Sequence, residues 1–118
     1  CGTSKDCYGG ERGAIDLEAS TVSIRNITFE NIDIYNTQRD AIQIGYPGGF
    51  SGIVFKNILI DGTGLDNITT SRFTIPHEGK AIMVYTNNGS ATFNNLVMRN
   101  IEAADPFLVQ QGFQLNLN

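Results

Sequence analysis

Basic residues and long apolar runs are scarce in this sequence. Lys and Arg together number 8 against 12 Asp and Glu, which gives a formal net charge of -4 and an isoelectric point near 4.7. A protein that binds nucleic acid or an anionic membrane needs a basic surface, so the composition predicts no nucleic acid partner. No apolar run approaches the roughly 20 residues that a membrane-spanning helix requires, so the sequence predicts no membrane partner.

Cysteine and histidine are also rare. The two cysteines, Cys1 and Cys7, enclose a short polar loop, and the sequence leaves open whether they form a disulfide or remain two thiols. The one histidine, His77, cannot form a metal site or a catalytic triad by itself. We therefore expect no metal and no other cofactor.

The sequence contains a repeat. It has no Trp but 13 Gly, together with many Asn, Ile and Val residues, and this composition favours strands and tight turns over helices. The segment Phe29–Ile34, FENIDI, is matched 26 residues later by Phe55–Ile60, FKNILI. Met98–Ala103, MRNIEA, follows the same pattern more loosely, 43 residues after the second copy. A period of about 20 to 50 residues is typical of repeat architectures.

A second set of segments repeats independently with steps of 27, 40 and 25 residues. Its members are Gly13–Leu17, Asp40–Ile44, Lys80–Val84 and Asp105–Val109. Both sets indicate a basic coil of about 25 to 27 residues with one longer coil at the same place. The excess predicts an inserted loop at about 61–79, a segment bounded by glycines.

Within each repeat the apolar residues alternate with polar ones, as Ile27 and Phe29 do around Thr28. This is the period of a strand with one buried face. Short strands joined by corners and stacked about 4.8 Å apart form a solenoid. The sequence thus predicts an all-β fold, a right-handed parallel β-helix of about four coils, as a single domain over residues 1–118 with no second domain.

The repeat also predicts which residues lie above one another. The expected interior ladders are Ile27, Ile53 and Leu96; Phe29, Phe55 and Met98; Ile32, Ile58 and Ile101; and Ile15, Ile42, Ile82 and Phe107. Two polar columns accompany them, a corner column of Asn31, Asn57 and Asn100, and a solvated column of Glu30, Lys56 and Arg99. Asn suits a corner because it tolerates left-handed backbone geometry and stacked amides can bond to one another.

The two ends of the repeat have no obvious cover. The first recognisable coil begins near residue 13 without an amphipathic helix before it, and residues 113–118 still alternate like a strand. An uncovered coil exposes unpaired strand edges and core. We therefore expect a segment of a longer β-helix, whose open end is covered by the remainder of the parent chain or by another copy.

Three segments resemble the carboxyl-terminal coils of bacterial α-1,3-glucanases and mycodextranases: Arg12–Ser20, Asn26–Tyr35 and Gly52–Gly64. The resemblance implies a secreted glycoside hydrolase that cleaves α-1,3-linked glucan with inversion, in a groove along one flank of the helix. Its partner would be a polysaccharide. Enzymes of this family use an aspartate cluster that includes an adjacent Asp-Asp pair, which this sequence lacks. The catalytic set is therefore expected to lie mostly outside the chain.

Two aspartates are candidates for catalysis within the chain, Asp16 and Asp40. An inverting glycosidase places its two carboxyl groups about 6.5 to 9.5 Å apart. Asp16 is predicted to point outward, but Asp40 is offset from it by three residues and one coil, on the order of 11 Å by strand rise. That separation is somewhat too long, so solvated or turn-capping aspartates are the favoured interpretation.

Several polar and aromatic residues near the same coils are candidates for sugar binding. The charged candidates are Glu11, Arg12, Glu18 and Arg39, whose side chains bond sugar hydroxyls. Tyr46 and Tyr85 are candidates for stacking on a glucose ring, although both would also serve as loop anchors.

Two other functions remain open at this point. A non-catalytic structural or carbohydrate-binding β-helix segment would show the same repeat without a catalytic set. A pectin-type lyase or hydrolase is less favoured, because the sequence contains no basic, calcium-ligating or polygalacturonase constellation.

Overall fold

The protein is all-β among the residues that its structure, a computed structural model, describes. These are residues 13–37, 39–45, 48–64, 68–69, 74–75 and 79–118. The strands are β1 (Ile15–Glu18), β2 (Ile24–Tyr35), β3 (Ile42–Gly45), β4 (Phe50–Asp61), β5 (Ile68–Thr69), β6 (Thr74–Ile75), β7 (Ile82–Tyr85), β8 (Gly89–Arg99), β9 (Phe107–Val109) and β10 (Gln114–Leu117). The described residues include no helix, and hence none that could cross a membrane.

Two four-stranded parallel sheets contain eight of these strands. The first sheet has the order β1-β3-β7-β9 and the second has the order β10-β8-β4-β2. The chain moves from the first sheet to the second and back with each successive strand, apart from the small antiparallel pair β5 and β6. Parallel neighbours that are one full circuit apart in sequence are consistent with a β-helix-like fold.

The register of the first sheet confirms one predicted ladder. Ile15 pairs with Ile42, Ile42 with Ile82, and Ile82 with Phe107. Ile42 and Ile82 are fully buried, which agrees with a ladder that lies in the core. The spacing of the second repeated segment therefore aligned all four strands correctly.

The second sheet corrects the other three ladders at their third position. Ile27 and Ile53 continue to Ala91, Phe29 and Phe55 to Phe93, and Ile32 and Ile58 to Leu96. Leu96, Met98 and Ile101 had been predicted at these places, each five residues too far along the chain. Likewise Glu30 and Lys56 continue to Asn94 and not to Arg99, and the asparagine column continues to Asn95 and not to Asn100.

The error has a physical origin in evenly spaced backbone corners. In β2 and the residue after it, Asn26, Asn31 and Asn36 all have positive φ, between 55 and 58°. The next coil also has positive φ at Gly52, Asn57 and Gly62, and the third has it at Asn95 and Asn100. Asn and Gly are the residues that adopt this conformation at least cost. Because similar corners recur every five residues, the segment around Asn100 looks like the segment around Asn95. The sequence pattern therefore aligns Asn100 with Asn31 and Asn57, although Asn95 is their true partner.

The core consists of one buried cluster to which both sheets contribute. Ile42, Ile44, Ile82 and Val84 come from the first sheet, and Ile53, Phe55, Ile58, Ile60 and Phe93 from the second. Phe55 stacks on Phe29 with ring centroids 4.8 Å apart and on Phe93 at 4.3 Å. Since strand residues alternate between faces, the intervening residues of the first sheet point away from this cluster.

Candidate functional site

The outer face of the first sheet carries most of the described side chains that the sequence marked as candidates. One row across the strands consists of Asp16, Gln43, Met83 and Leu108. The next row consists of Glu18, Gly45 and Tyr85. Asp16 and Glu18 are exposed, while their neighbours Ile15 and Leu17 pack against the core. We call these two rows the outer face.

Gln43 links the two candidate aspartates. It is the Cα partner of Asp16 in the neighbouring strand, and its Nε2 donates a hydrogen bond to Oδ2 of Asp40 at 3.0 Å. Gln43 is only 3% exposed, although it belongs to the outer face. The two aspartates thus lie on one patch of the protein, with Gln43 as their common neighbour.

The Asp40 carboxylate is engaged within the fold. It is fully buried, and its Oδ1 accepts a hydrogen bond of 2.8 Å from the backbone N–H of Lys80 in the following coil. A carboxylate that accepts several hydrogen bonds is stabilised and oriented by them. Asp40 therefore holds two successive coils together, whereas Asp16 lies at the surface.

Arg39 precedes Asp40 and is partly buried. Its carbonyl accepts hydrogen bonds from the Gly64 N–H at 3.0 Å and the Thr37 hydroxyl at 3.1 Å, which fix the backbone. Its buried Nε finds no hydrogen-bond acceptor among the described residues. A guanidinium is always charged and offers five N–H donors, so Arg39 has capacity to bind an acceptor such as a hydroxyl or a carboxylate.

Several predicted residues lie outside the part of the chain that the structure describes. They are Cys1, Cys7, Glu11, Arg12, Tyr46, His77 and most of the loop at 61–79. Among the residues that are described, no group of three or more His, Cys, Asp and Glu side chains could hold a metal ion.

Sequence reasoning missed two members of the outer face, Gln43 and Gly45. Gln43 occupies the same place in the segment Asp40–Ile44 as Asp16 does in Gly13–Leu17, but it does not ionise and is therefore not an obvious catalytic candidate. Its bond to Asp40 joins two residues of one repeated segment. Gly45 was not singled out at all. The register pairs it with Tyr85, 40 positions later, but the contact depends on the direction in which the Tyr85 ring leans, which the sequence does not show.

Comparison with known proteins finds one informative likeness. No protein-family model matches the chain, and no curated protein matches it. A solved structure described as the catalytic domain of Agl-KA is 58% identical to it, with a TM-score of 0.84. The match covers 100% of this chain and 20% of that one. The chain is therefore similar over its whole length to one fifth of the Agl-KA catalytic domain.

Proposed function

We propose that this chain is a segment of a secreted glycoside hydrolase that acts on α-1,3-glucan. The observation that carries the proposal is the 58% identity to a catalytic domain along 100% of the chain. It supports the same family as the three segments that resemble α-1,3-glucanases. The substrate and partner in this proposal is a polysaccharide, and no cofactor takes part.

The proposed architecture is a right-handed parallel β-helix that continues in the parent protein. Support comes from the regular alternation of strands between two parallel sheets and from ladders that run through four successive strands. The chain spans 20% of the solved domain that it resembles, which is consistent with a few coils of a longer helix.

In this proposal the outer face forms part of the wall of the sugar-binding groove. Glu18 and Tyr85 lie on it, and Arg39 precedes Asp40, which bonds to Gln43 of that face, so these are the described side chains to which we assign sugar contact. Glu11, Arg12 and Tyr46 are assigned the same role from the sequence. Carboxylates accept hydrogen bonds from sugar hydroxyls, and guanidinium groups donate them.

The reaction is proposed to be inverting and to use aspartates that this chain mostly does not contain. Asp16 is exposed on the outer face, so its carboxylate is one that a substrate could reach. Asp40 is buried and bonded to Gln43 and Lys80, so we assign it the positioning of the two coils. An inverting mechanism needs an acid and a base on opposite sides of the scissile bond.

Retention and hydrolysis assays test the proposal. The isolated chain should be retained on insoluble α-1,3-glucan, should be retained less on cellulose or pectin, and should release almost no sugar. Retention on none of the three polymers would contradict a groove wall and favour a structural coil. Rapid hydrolysis by the isolated chain would contradict the assignment of the catalytic set to another part of the parent.

The parent protein provides the remaining tests. Its intact mass in a culture supernatant should be well above 12.9 kDa. Its first product from α-1,3-glucan, followed by NMR, should carry the β-anomer, because inversion reverses the configuration of the cleaved bond. A first-formed α-anomer would overturn the proposed stereochemistry while leaving the substrate assignment intact.

A further inference from the structure

Gly45 and Tyr85 lie directly opposite each other on neighbouring strands of the first sheet. A Cβ atom built on Gly45 would overlap the Cε2 and Cζ atoms of Tyr85 and lie 2.5 Å from its Cδ2. The phenol ring thus leans across from β7 and occupies the space over Gly45 that a side chain would fill. In agreement with this, Gly45 is buried and Tyr85 is half-buried.

Position 45 requires glycine because of the space available there and not because of its backbone conformation. Gly52 and Gly89 have φ of 64° and 128°, so the backbone itself favours glycine there. Gly45 is not among the residues with positive φ, and its backbone would accept any L-residue. The three atoms nearest to a Cβ at this position all belong to the ring of Tyr85. Glycine within a strand often marks a close approach of another group, and here that group is the ring.

A carboxylate lies on the other side of Gly45. Glu18 is the register partner of Gly45 in β1, so the ring lies over the middle strand of three and leans towards Glu18. Adjacent strands are about 4.8 Å apart, so Glu18 lies one strand spacing beyond Gly45. An apolar ring and a carboxylate are therefore neighbours on the outer face.

We propose that Tyr85 and Glu18 form a binding position for one glucosyl unit of an α-glucan, and that Gly45 determines where the ring lies. The ring offers an apolar surface to the C–H groups of the sugar, and the carboxylate accepts hydrogen bonds from its hydroxyls. This inference depends on the proposed function, since it assigns part of the same groove. Its new element is Gly45, which touches no sugar but positions the ring.

The experiment titrates a soluble α-1,3-linked glucan oligosaccharide into the 118-residue chain by calorimetry. Tyr85→Ala removes the ring, Gly45→Ala displaces it, and Tyr85→Phe keeps the ring without its hydroxyl. We expect the first two variants to bind about ten-fold more weakly and Tyr85→Phe to bind within about two-fold of the wild type. Gly49→Ala is the matched control, because the nearest atoms to its Cβ would be side-chain atoms of Asn88, from 3.1 Å, and the hydroxyl of Ser23, at 3.3 Å, both of which can move.

NMR of the ligand-free protein tests the position of the Tyr85 ring. The Hα protons of Gly45 lie beneath the ring, so their resonances should shift when Tyr85 is replaced by Leu. An unchanged resonance would show that the ring is not seated on Gly45 and would overturn the positioning role.

The calorimetric outcomes separate the two proposals. If Tyr85→Ala and Gly45→Ala bind the oligosaccharide as tightly as the wild type does, the proposed glucosyl position is wrong. The proposal that the outer face is part of the groove wall is then unaffected. If the wild type binds no α-glucan, the proposed function fails and the glucosyl position fails with it. Circular dichroism of each variant establishes that a loss of binding does not arise from unfolding.

Discussion

The side-chain amide of Asn57 donates a hydrogen bond from Nδ2 to Oδ1 of Asn31 at 3.0 Å. Asn95 donates in the same way to Asn57, also at 3.0 Å. All three residues have left-handed backbone, with φ of 57, 54 and 63° in chain order. One residue type thus provides both the corner conformation and a hydrogen bond between successive coils.

Replacing Asn57 should separate these two contributions. Asn57→Gly keeps an easy left-handed corner but loses both amide bonds, and should lower the free energy of unfolding by about 1 kcal/mol. Asn57→Ala also strains the corner and should cost about 1 to 2 kcal/mol more. Urea denaturation measures both values. Asn87→Ala, at an exposed asparagine without positive φ, is the control, and equal effects of all three changes would contradict a special role for the column.

Phe55 should be the most sensitive aromatic residue of the core, because it is fully buried between Phe29 and Phe93. Phe55→Ala leaves a cavity in the centre of the stack and should reduce the free energy of unfolding by about 3 to 5 kcal/mol. Phe55→Leu should cost clearly less and keep the chain folded for measurement. Thermal unfolding checks both, with exposed Val97→Ala expected within about 0.5 kcal/mol of the wild type.

Asp40→Ala should destabilise the fold by about 2 kcal/mol or more. The change leaves the Lys80 N–H and the Gln43 amide without the acceptor that they have in the structure, and a hydrogen bond to a charged group contributes about 1.5 to 3 kcal/mol. Exposed Asp33→Ala should change stability by less than about 0.5 kcal/mol. Equal effects of the two substitutions in chemical denaturation would show that Asp40 does not hold the coils together.

Thr63 should hold the two ends of the inserted loop. Its buried hydroxyl donates to the Gly79 carbonyl and accepts a hydrogen bond of 3.1 Å from the Glu102 N–H. Thr63→Val keeps the shape but removes the hydroxyl, and should cost about 1 to 3 kcal/mol. Thr63→Ser should retain most of the stability. Amide hydrogen exchange at Glu102 gives a local measurement, and unchanged protection in Thr63→Val would contradict this role.

The sequence predicted the strands of the first sheet and their register, because each repeated segment there has one unambiguous alternating pattern. It failed at the third strand of the second sheet, where corners five residues apart made two alignments look alike. Phe93 and Met98 show the consequence, since both are apolar and either could follow Phe29 and Phe55 in the ladder. Local pattern alone therefore does not distinguish the two.

The candidate site could likewise be predicted only in part. Alternation around Ile15 and Leu17 was enough to predict that Asp16 points outward, and Glu18 follows from the same pattern. The burial of Asp40 and its bonds to Gln43 and Lys80 could not be predicted, since its charge suggested a solvated position. The position of the Tyr85 ring over Gly45 was equally hidden, because the register places the two residues side by side but does not determine the direction in which the ring leans.

The sequence by itself determined the all-β class, the period of the coil and the face of each short strand, because the alternation of apolar and polar residues depends only on the geometry of an extended chain. The tertiary structure decided the register of β8, the burial of Asp40 and the contact between Tyr85 and Gly45. Each of these depends on how residues from distant coils pack against one another. This packing minimises the free energy of the whole stack, so it cannot be determined from any single segment of the sequence.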